Sequence, residues 1–230
     1  MKPKTHNDYL FDIRGDQFSW LRRFDDMYRN CEDPHGQSKE LSRLDYQFVA
    51  SVIARAIDLV SRDSEDVSML DLGCGLGFFT AHAQAIFPAV SVSGCDISAS
   101  AVEKAASQFP TCEFFQLDIN NESALPNDAY SIITALHVIC YFTDEEISGI
   151  LRNIRTMLAP GGFVLVGHHI VENMRFGRFI QNIDDAYSLF EANGYKVLLT
   201  FDMINDLDLT YANEPVGRNI YFLAQRTSGD

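Results

Sequence analysis

Two rhythms divide the chain. Up to about residue 60 the apolar positions recur every three or four residues, the period of helices that lie on a body below them. From Val67 onward short apolar runs alternate with amphipathic segments and turn residues. In the first part, "FSWLRRFDDMY" spaces Phe18, Leu21, Phe24 and Met27 at threes and predicts one helix. "CEDPHGQS" interrupts it with Pro34 and Gly36. A second helix is predicted over residues 41–60, with Leu44, Phe48, Val52 and Ala56 on one stripe.

The second part reads as strand, helix, strand, helix. Strands are predicted at 67–72, 90–95, 112–117, 130–136 and 163–167, with two more in "KVLLTFDM" and "NIYFLAQ". Helices are predicted at 78–87, in "SASAVEKAASQF" with Ser98 as cap, and in "TDEEISGILRNIRTMLAPGG" with Thr143 as cap and an end at Pro160-Gly161-Gly162. One more, "NIDDAYSLFEANGY", is closed by Gly194. Such alternation implies a largely parallel sheet covered by helices on both faces. The two successive strands at the end imply an antiparallel finish.

Composition narrows the field of partners. The 230 residues are 47% hydrophobic and 22% charged, ordinary for one globular domain. A formal net charge of −14 repels polyanions, so neither nucleic acid nor an anionic membrane is expected. Five cysteines, Cys31, Cys74, Cys95, Cys112 and Cys140, form no CxxC pair and are odd in number. With no signal-like apolar stretch at the start and no membrane-length span, they imply a soluble protein in a reducing, cytoplasmic setting.

The chemistry gathers at one place. In open α/β sheets, ligands lie outside the carboxyl ends of the strands. Asp71 and a glycine turn follow the first predicted strand, Asp96 the second and Asp118 the third. His137 follows the fourth, and His168 and His169 the fifth. The turn, "LDLGCGLGFFT", holds Gly73, Gly75 and Gly77 in a GxGxG pattern. A dinucleotide fingerprint would need glycine at its sixth position, where Phe78 stands, and no GK[ST] of a phosphate loop follows. The turn therefore admits close backbone approach, but not to a pyrophosphate. Asp96 follows Gly77 at close to the ~20-residue spacing at which an acid meets a ribose diol; a helix cap is its other reading. Asp118, one strand further out, can accept from an exocyclic amine such as adenine's, with Ile97 and Ile119 flanking the ring; a loop-capping role is the alternative.

In order and spacing, "MLDLGCGLGFFT", "GCDIS", "FFQLDI", "SIITALHVICYF" and "LAPGGFVLVG" resemble the class I S-adenosylmethionine-dependent methyltransferases, over about residues 44–226. The resemblance implies a Rossmann-like seven-stranded sheet of order 3-2-1-4-5-7-6 with strand 7 antiparallel. It implies that Asp71, Gly73, Cys74, Gly75 and Gly77 lie along the methionine part of S-adenosyl-L-methionine. Asp96 would bind the ribose hydroxyls, Ile97 would rest on the adenine, and Asp118 with Ile119 would hold the adenine edge. Leu136 and His137 would line the methyl-donor pocket, and the "LAPGG" turn would be structural. Residues 1–43 would form a helical lid and residues 44–230 the methyltransferase domain, with Trp20, Arg23 and Tyr28 as lid contacts.

The implied activity is methyl transfer to an O or N nucleophile of a small metabolite, a sugar or a secondary metabolite. A general base assists where the nucleophile must lose a proton. His137 is the first choice, against a role in merely packing on or bonding the cofactor. His168 and His169 are weaker choices, since alternation sends their side chains to opposite faces. No compact metal-ligand spacing appears. "DP.G" after an aromatic helix is similar to small-molecule N- and O-methyltransferases of the nodulation and natural-product types. Competing readings are a protein methyltransferase and a non-catalytic partner subunit of the same fold. A dehydrogenase is disfavoured by Phe78.

Overall fold

The structure is a computed structural model that describes residues 20–62, 66–127, 129–142, 144–170, 183–204 and 218–227. Among the described residues two helices come first, α1 (Trp20–Asn30) and α2 (Glu40–Val60). Then follow β1 (Ser68–Leu72), α3 (Phe78–Ile86), β2 (Ser91–Asp96), α4 (Ala99–Gln108) and β3 (Glu113–Gln116). After these come β4 (Tyr130–Leu136), α5 (Asp144–Met157) and β5 (Leu158–Ile170). The last are α6 (Ile183–Ala192), β6 (Tyr195–Ile204) and β7 (Arg218–Arg226). The predicted Thr143 cap lies outside the described residues. Ser98 does cap α4: its side chain accepts from the Ala101 N–H.

The seven strands form one sheet in the order β3-β2-β1-β4-β5-β7-β6. Pairing is parallel through β5, and β7 runs antiparallel to both of its neighbours. Strand alternation divides the core between the two faces. Leu70, Ile133, Val164 and Phe222 enter the cluster that holds Ile150, Ile154 and Phe190 of α5 and α6. Their neighbours Met69, Ile132, Leu165 and Tyr221 enter the other cluster, with Val49, Ile53 and Phe79 of α2 and α3. Both faces are therefore apolar at the middle of the sheet, as in the unbroken run Phe163–Val166 of β5.

Four details differ from the sequence expectations. The stripe of α2 is turned: Leu44 and Phe48 are exposed, whereas Val49, Val52, Ile53 and Ala56 are buried. Leu21 of α1 is likewise exposed while Met27 and Tyr28 are buried, because spacing at strict threes drifts around a helix of 3.6 residues per turn. The "LAPGG" segment is not the end of α5 but the bulged start of β5, where the register jumps between Tyr130↔Leu158 and Ile132↔Phe163. Glycine is needed there: Gly161 has φ +75°, and a Cβ on Gly162 would lie 2.9 Å from the carbonyl oxygens of Ala159 and Ser131. Finally, Asp71, His168 and His169 stand within strands, not after them, and Asp96 is the last residue of β2. No described helix is long and apolar enough to cross a membrane.

Candidate functional site

A cavity of about 350 Å³ opens at the carboxyl ends of the parallel strands, between them and the α1–α2 region. Its floor is the glycine turn after β1. The N–H groups of Gly73 and Cys74 donate to the Cys95 carbonyl at 2.7 and 2.9 Å, which fastens the turn to β2. Gly73, Gly75 and Gly77 all have positive φ, the region that favours glycine.

Asp96 sits beside this turn and is 7% exposed. One oxygen accepts from the Gly75 N–H and the other from the Ser98 N–H, both at 2.9 Å. Asp96 is thus part of a capping arrangement and a cavity-lining acid at the same time. Burial raises its carboxyl to about 6, against the pull of those N–H groups. Asp71 also lines the cavity, but its carboxylate is held by the hydroxyls of Thr80, at 2.7 Å, and Thr134, at 2.9 Å. Its bonds tie β1 to α3 and β4. Burial lifts it to about 6 as well, with the charge of Asp96 adding to the effect.

Asp118 lines the cavity and accepts from the Asn120 N–H at 3.0 Å through one oxygen. Ile97, Leu117 and Ile119 line the cavity beside it. Next to β1 in the sheet, β4 delivers Leu136 and His137. His137 has φ +59°, an uncommon conformation for a non-glycine residue, of order 1–2 kcal/mol above the ordinary helical one. Its N–H bonds the Gly167 carbonyl at 2.8 Å, and its carbonyl accepts from the Cys140 thiol at 3.1 Å. Its ring meets Tyr221 edge-on at 6.1 Å.

The predicted residues are therefore mostly brought together, with exceptions. Gly75 and Gly77 shape the turn but do not line the cavity: their missing Cβ atoms face Gln37 and Tyr28, and Phe114 and Ala105. His168 is 1% exposed and does not line the cavity; its strand position follows Val164 and Val166, on the α5–α6 face. The side chains of His169 and Trp20 lie outside the described residues. Of the lid contacts, Tyr28 lines the cavity and Arg23 does not.

Tyr28 is buried and packs against His35 at 5.7 Å. Phe24 meets Tyr141 edge-on at 5.0 Å. Asp25 anchors α1 by accepting from Ser100 N–H at 2.8 Å and the Ser98 hydroxyl at 3.2 Å.

Several lining residues went unseen in the sequence. Gln37 clamps the cover onto the turn, donating to the Cys74 carbonyl at 3.1 Å and accepting from Leu76 N–H at 2.8 Å. His35, Asp45, Tyr46, Tyr141, Asn219 and Tyr221 also line the cavity. Lone polar residues on helices carry no motif. For Asn219 and Tyr221 the usable signal was the strand itself, since β7 runs back past the strand end that bears His137.

Residues 69–162 match the methyltransferase domain family. Trans-aconitate 2-methyltransferase of Paracidovorax citrulli (strain AAC00-1) is 29% identical over 140 residues, 61% of this chain and 47% of that protein. The enzyme of the same name from Escherichia coli (strain K12 / DH10B) is 40% identical over 113 residues, 48% of this chain and 43% of that one. The chain spans about half the length of the curated relatives it matches. Among solved structures, the N-methyltransferase NodS from Bradyrhizobium japonicum WM9, in complex with S-adenosyl-l-homocysteine, aligns with a TM-score of 0.64. It does so over 90% of this chain and 97% of that one at 16% identity. The glycine turn lies inside the matched segment, and the seven-stranded sheet has the order 3-2-1-4-5-7-6 that the resemblance to class I S-adenosylmethionine-dependent methyltransferases implied.

Proposed function

We propose that the chain transfers the methyl group of S-adenosyl-L-methionine to an O or N nucleophile of a small metabolite, a sugar or a secondary metabolite. The supporting observation is the cavity itself. Two acids and three aliphatic residues lie at its β2–β3 end, and His137 with Tyr221 lies at its β4–β7 end. That layout accommodates a nucleoside at one end and an acceptor at the other.

The residues present fit the cofactor. Asp118 can accept from an exocyclic amine, and Ile97 and Ile119 offer the apolar faces an adenine needs. Asp96 presents a buried carboxylate for ribose hydroxyls while Gly75 and Ser98 fix its orientation. Gly73 and Cys74 bring backbone close to where the methionine part would run. Asp71 holds that turn in place through Thr80 and Thr134 instead of reaching the ligand. When bound, the cofactor supplies a sulfonium-activated methyl group.

The chain's own part is to align the acceptor, exclude water and take up a proton. Neutral His137 is the group we assign to that proton. Tyr28, Phe24 and Tyr141 close the cavity from the α1 side, with residues 1–43 as the cover and 44–230 as the methyltransferase domain. The cavity volume of about 350 Å³ suits a small acceptor beside part of the cofactor, and the net charge of −14 argues against nucleic acid. Reduced, buried Cys74, Cys95 and Cys140 fit a cytoplasmic setting.

Calorimetric titration with S-adenosyl-L-methionine, followed by labelled-methyl transfer into a pool of host metabolites, tests the reading. Binding and a labelled small product are expected. No binding would point to a non-catalytic subunit of the fold, and label in protein alone would point to a protein methyltransferase.

A further inference from the structure

Asp45 is the unexplained group in the cavity. It stands on α2, half-buried, and lines the cavity wall. No described donor or cation meets its carboxylate, whereas Asp71, Asp96 and Asp118 each accept at least one hydrogen bond. A carboxylate half withdrawn from water carries part of a desolvation cost that no described contact offsets. Burial raises its pKa with no hydrogen bond to offset the rise.

Its neighbours are aromatic. Tyr46 follows it on α2, and its charge also reaches the hydroxyl of Tyr221 on β7. Burial and the negative charges around Tyr46 and Tyr221 hold both phenols protonated. Both rings line the cavity, Tyr221 beside His137. In the sheet order, β7 lies beyond β4 and β5, on the side away from Asp96 and Asp118. Asp45 thus belongs to the end of the cavity assigned above to the acceptor. A lone carboxylate beside aromatic rings is a combination that takes a cation: the carboxylate pairs with it, and the rings attract it through their faces. Among the described residues that line the cavity there is no lysine or arginine to hold an acidic acceptor.

We propose that Asp45, with Tyr46 and Tyr221, forms the subsite that selects an acceptor bearing a protonated amine. The subsite rests on the proposed methyl-transfer reading for its place beside the nucleophile, and it is a positioning site: Asp45 holds the ammonium and moves no proton in this role. It also separates this chain from relatives named for trans-aconitate, because a polycarboxylate would bring negative charge against an unpaired carboxylate.

Three probes of one shape and different charge test it: benzylamine, benzyl alcohol and benzoate. Each is titrated by calorimetry and followed by ring-proton NMR, with and without saturating S-adenosyl-L-homocysteine. Benzylamine is expected to bind about fivefold tighter than benzyl alcohol, the upper value of a partly exposed ion pair, and benzoate weakest. Asp45→Asn should remove the preference for benzylamine and Asp45→Glu should retain most of it, both in proteins that thermal unfolding shows to be folded. Equal binding of the three probes, a preference for benzoate, no binding of benzylamine, or a preference that survives Asp45→Asn would each overturn the subsite. Failure of S-adenosyl-L-homocysteine to bind would count against the methyl-transfer reading, while the titrations without it still decide the amine preference.

Discussion

The cavity has two unlike walls. The strand-end wall is backbone in register: β1, β2 and β4 end side by side, and the turn after β1 is stitched to β2 by hydrogen bonds from Gly73 and Cys74. The facing wall is made of side chains from the two helices that precede the sheet and the segment joining them: Tyr28, Gln37, Asp45 and Tyr46. One wall is fixed by the same hydrogen bonds that build the core. The other is held by side-chain packing, Val49 and Ile53 in the core and Met27 and Tyr28 against Leu76 and Ala101, and by polar contacts of Asp25 to Ser98 and Ser100, of Gln37 to Cys74 and Leu76, and of Lys104 to the carbonyls of Tyr28 and Cys31. A general cofactor suits the rigid wall, and a selective acceptor suits the wall whose residues can vary without disturbing the sheet.

Gly75 is where the two walls touch, so a change there carries the largest expected effect. A Cβ at that position would lie 2.5 Å from Gln37 Oε1 and 2.6 Å from the Tyr28 hydroxyl, at φ +56°. Gly75→Val adds left-handed strain of roughly 1–2 kcal/mol and separates the cover from the turn. Together with the lost Gln37 bonds this predicts cofactor affinity reduced by more than about 100-fold. Calorimetry on a variant shown to be folded by circular dichroism measures it. Normal affinity would mean that the cover and the turn are independent.

His137 stands on the strand-end wall beside Tyr221, and the proposed role has its imidazole serve the acceptor. His137→Ala is expected to lower turnover by about 100-fold or more, with cofactor affinity within a few-fold. Native turnover should rise with pH through an imidazole-like ionisation, since only the neutral ring accepts a proton. An amine acceptor also loses a proton before it attacks, so the variant and the pH series must be read together. Near-native turnover at saturating acceptor would reduce His137 to packing against Tyr221. A smaller effect is expected from Asp96→Ala. Removing its carboxylate costs about 1–3 kcal/mol of cofactor binding, or roughly 5- to 150-fold in the dissociation constant read by the same titration.

The difference between the walls also decides what the sequence revealed. Apolar runs ending in Asp71, Asp96, Asp118 and His137 are visible because strand period and glycine spacing are local signals. They place the sheet, and the sheet brings those ends together. Local signals misplace residues where packing sets the phase. The α2 stripe is rotated, with Leu44 and Phe48 outward, because burial follows the face that meets α3 and the sheet rather than the first apolar residue of the run. "LAPGG" looks like a helix end because Pro and Gly punctuate helices, yet it forms the bulge that starts β5. Gln37 and Asp45 were invisible for another reason. A single polar residue on a helix or its approach has no period, and only the fold reveals what it faces.

The weakest expected effect is one of pH, and it pulls the two properties of the strand-end wall apart. Burial raises Asp71 and Asp96 to about 6 in the folded chain, above the 3.8 of an unstructured aspartate. Between those values the folded state holds more protons than the unfolded one, so its stability must grow as pH falls from 7.5 toward 5.5. The gain from two such carboxyls is of order 1–2 kcal/mol, and His82, whose pKa is lowered by burial, acts in the opposite sense. Urea unfolding of the ligand-free protein at the two pH values reads the net change, and Asp71→Asn should shrink it. Cofactor binding should run the other way. An ionised Asp96 accepts hydrogen bonds from ribose hydroxyls, and its protonation near pH 6 removes part of that capacity, so affinity should fall a few-fold over the same interval. Asp96→Asn, which has no carboxylate to protonate, should bind weakly at both pH values with little difference between them. Affinity that stayed level in the native protein would show that Asp96 serves only the Gly75 and Ser98 N–H groups. The ribose would then have to be held elsewhere on the strand-end wall.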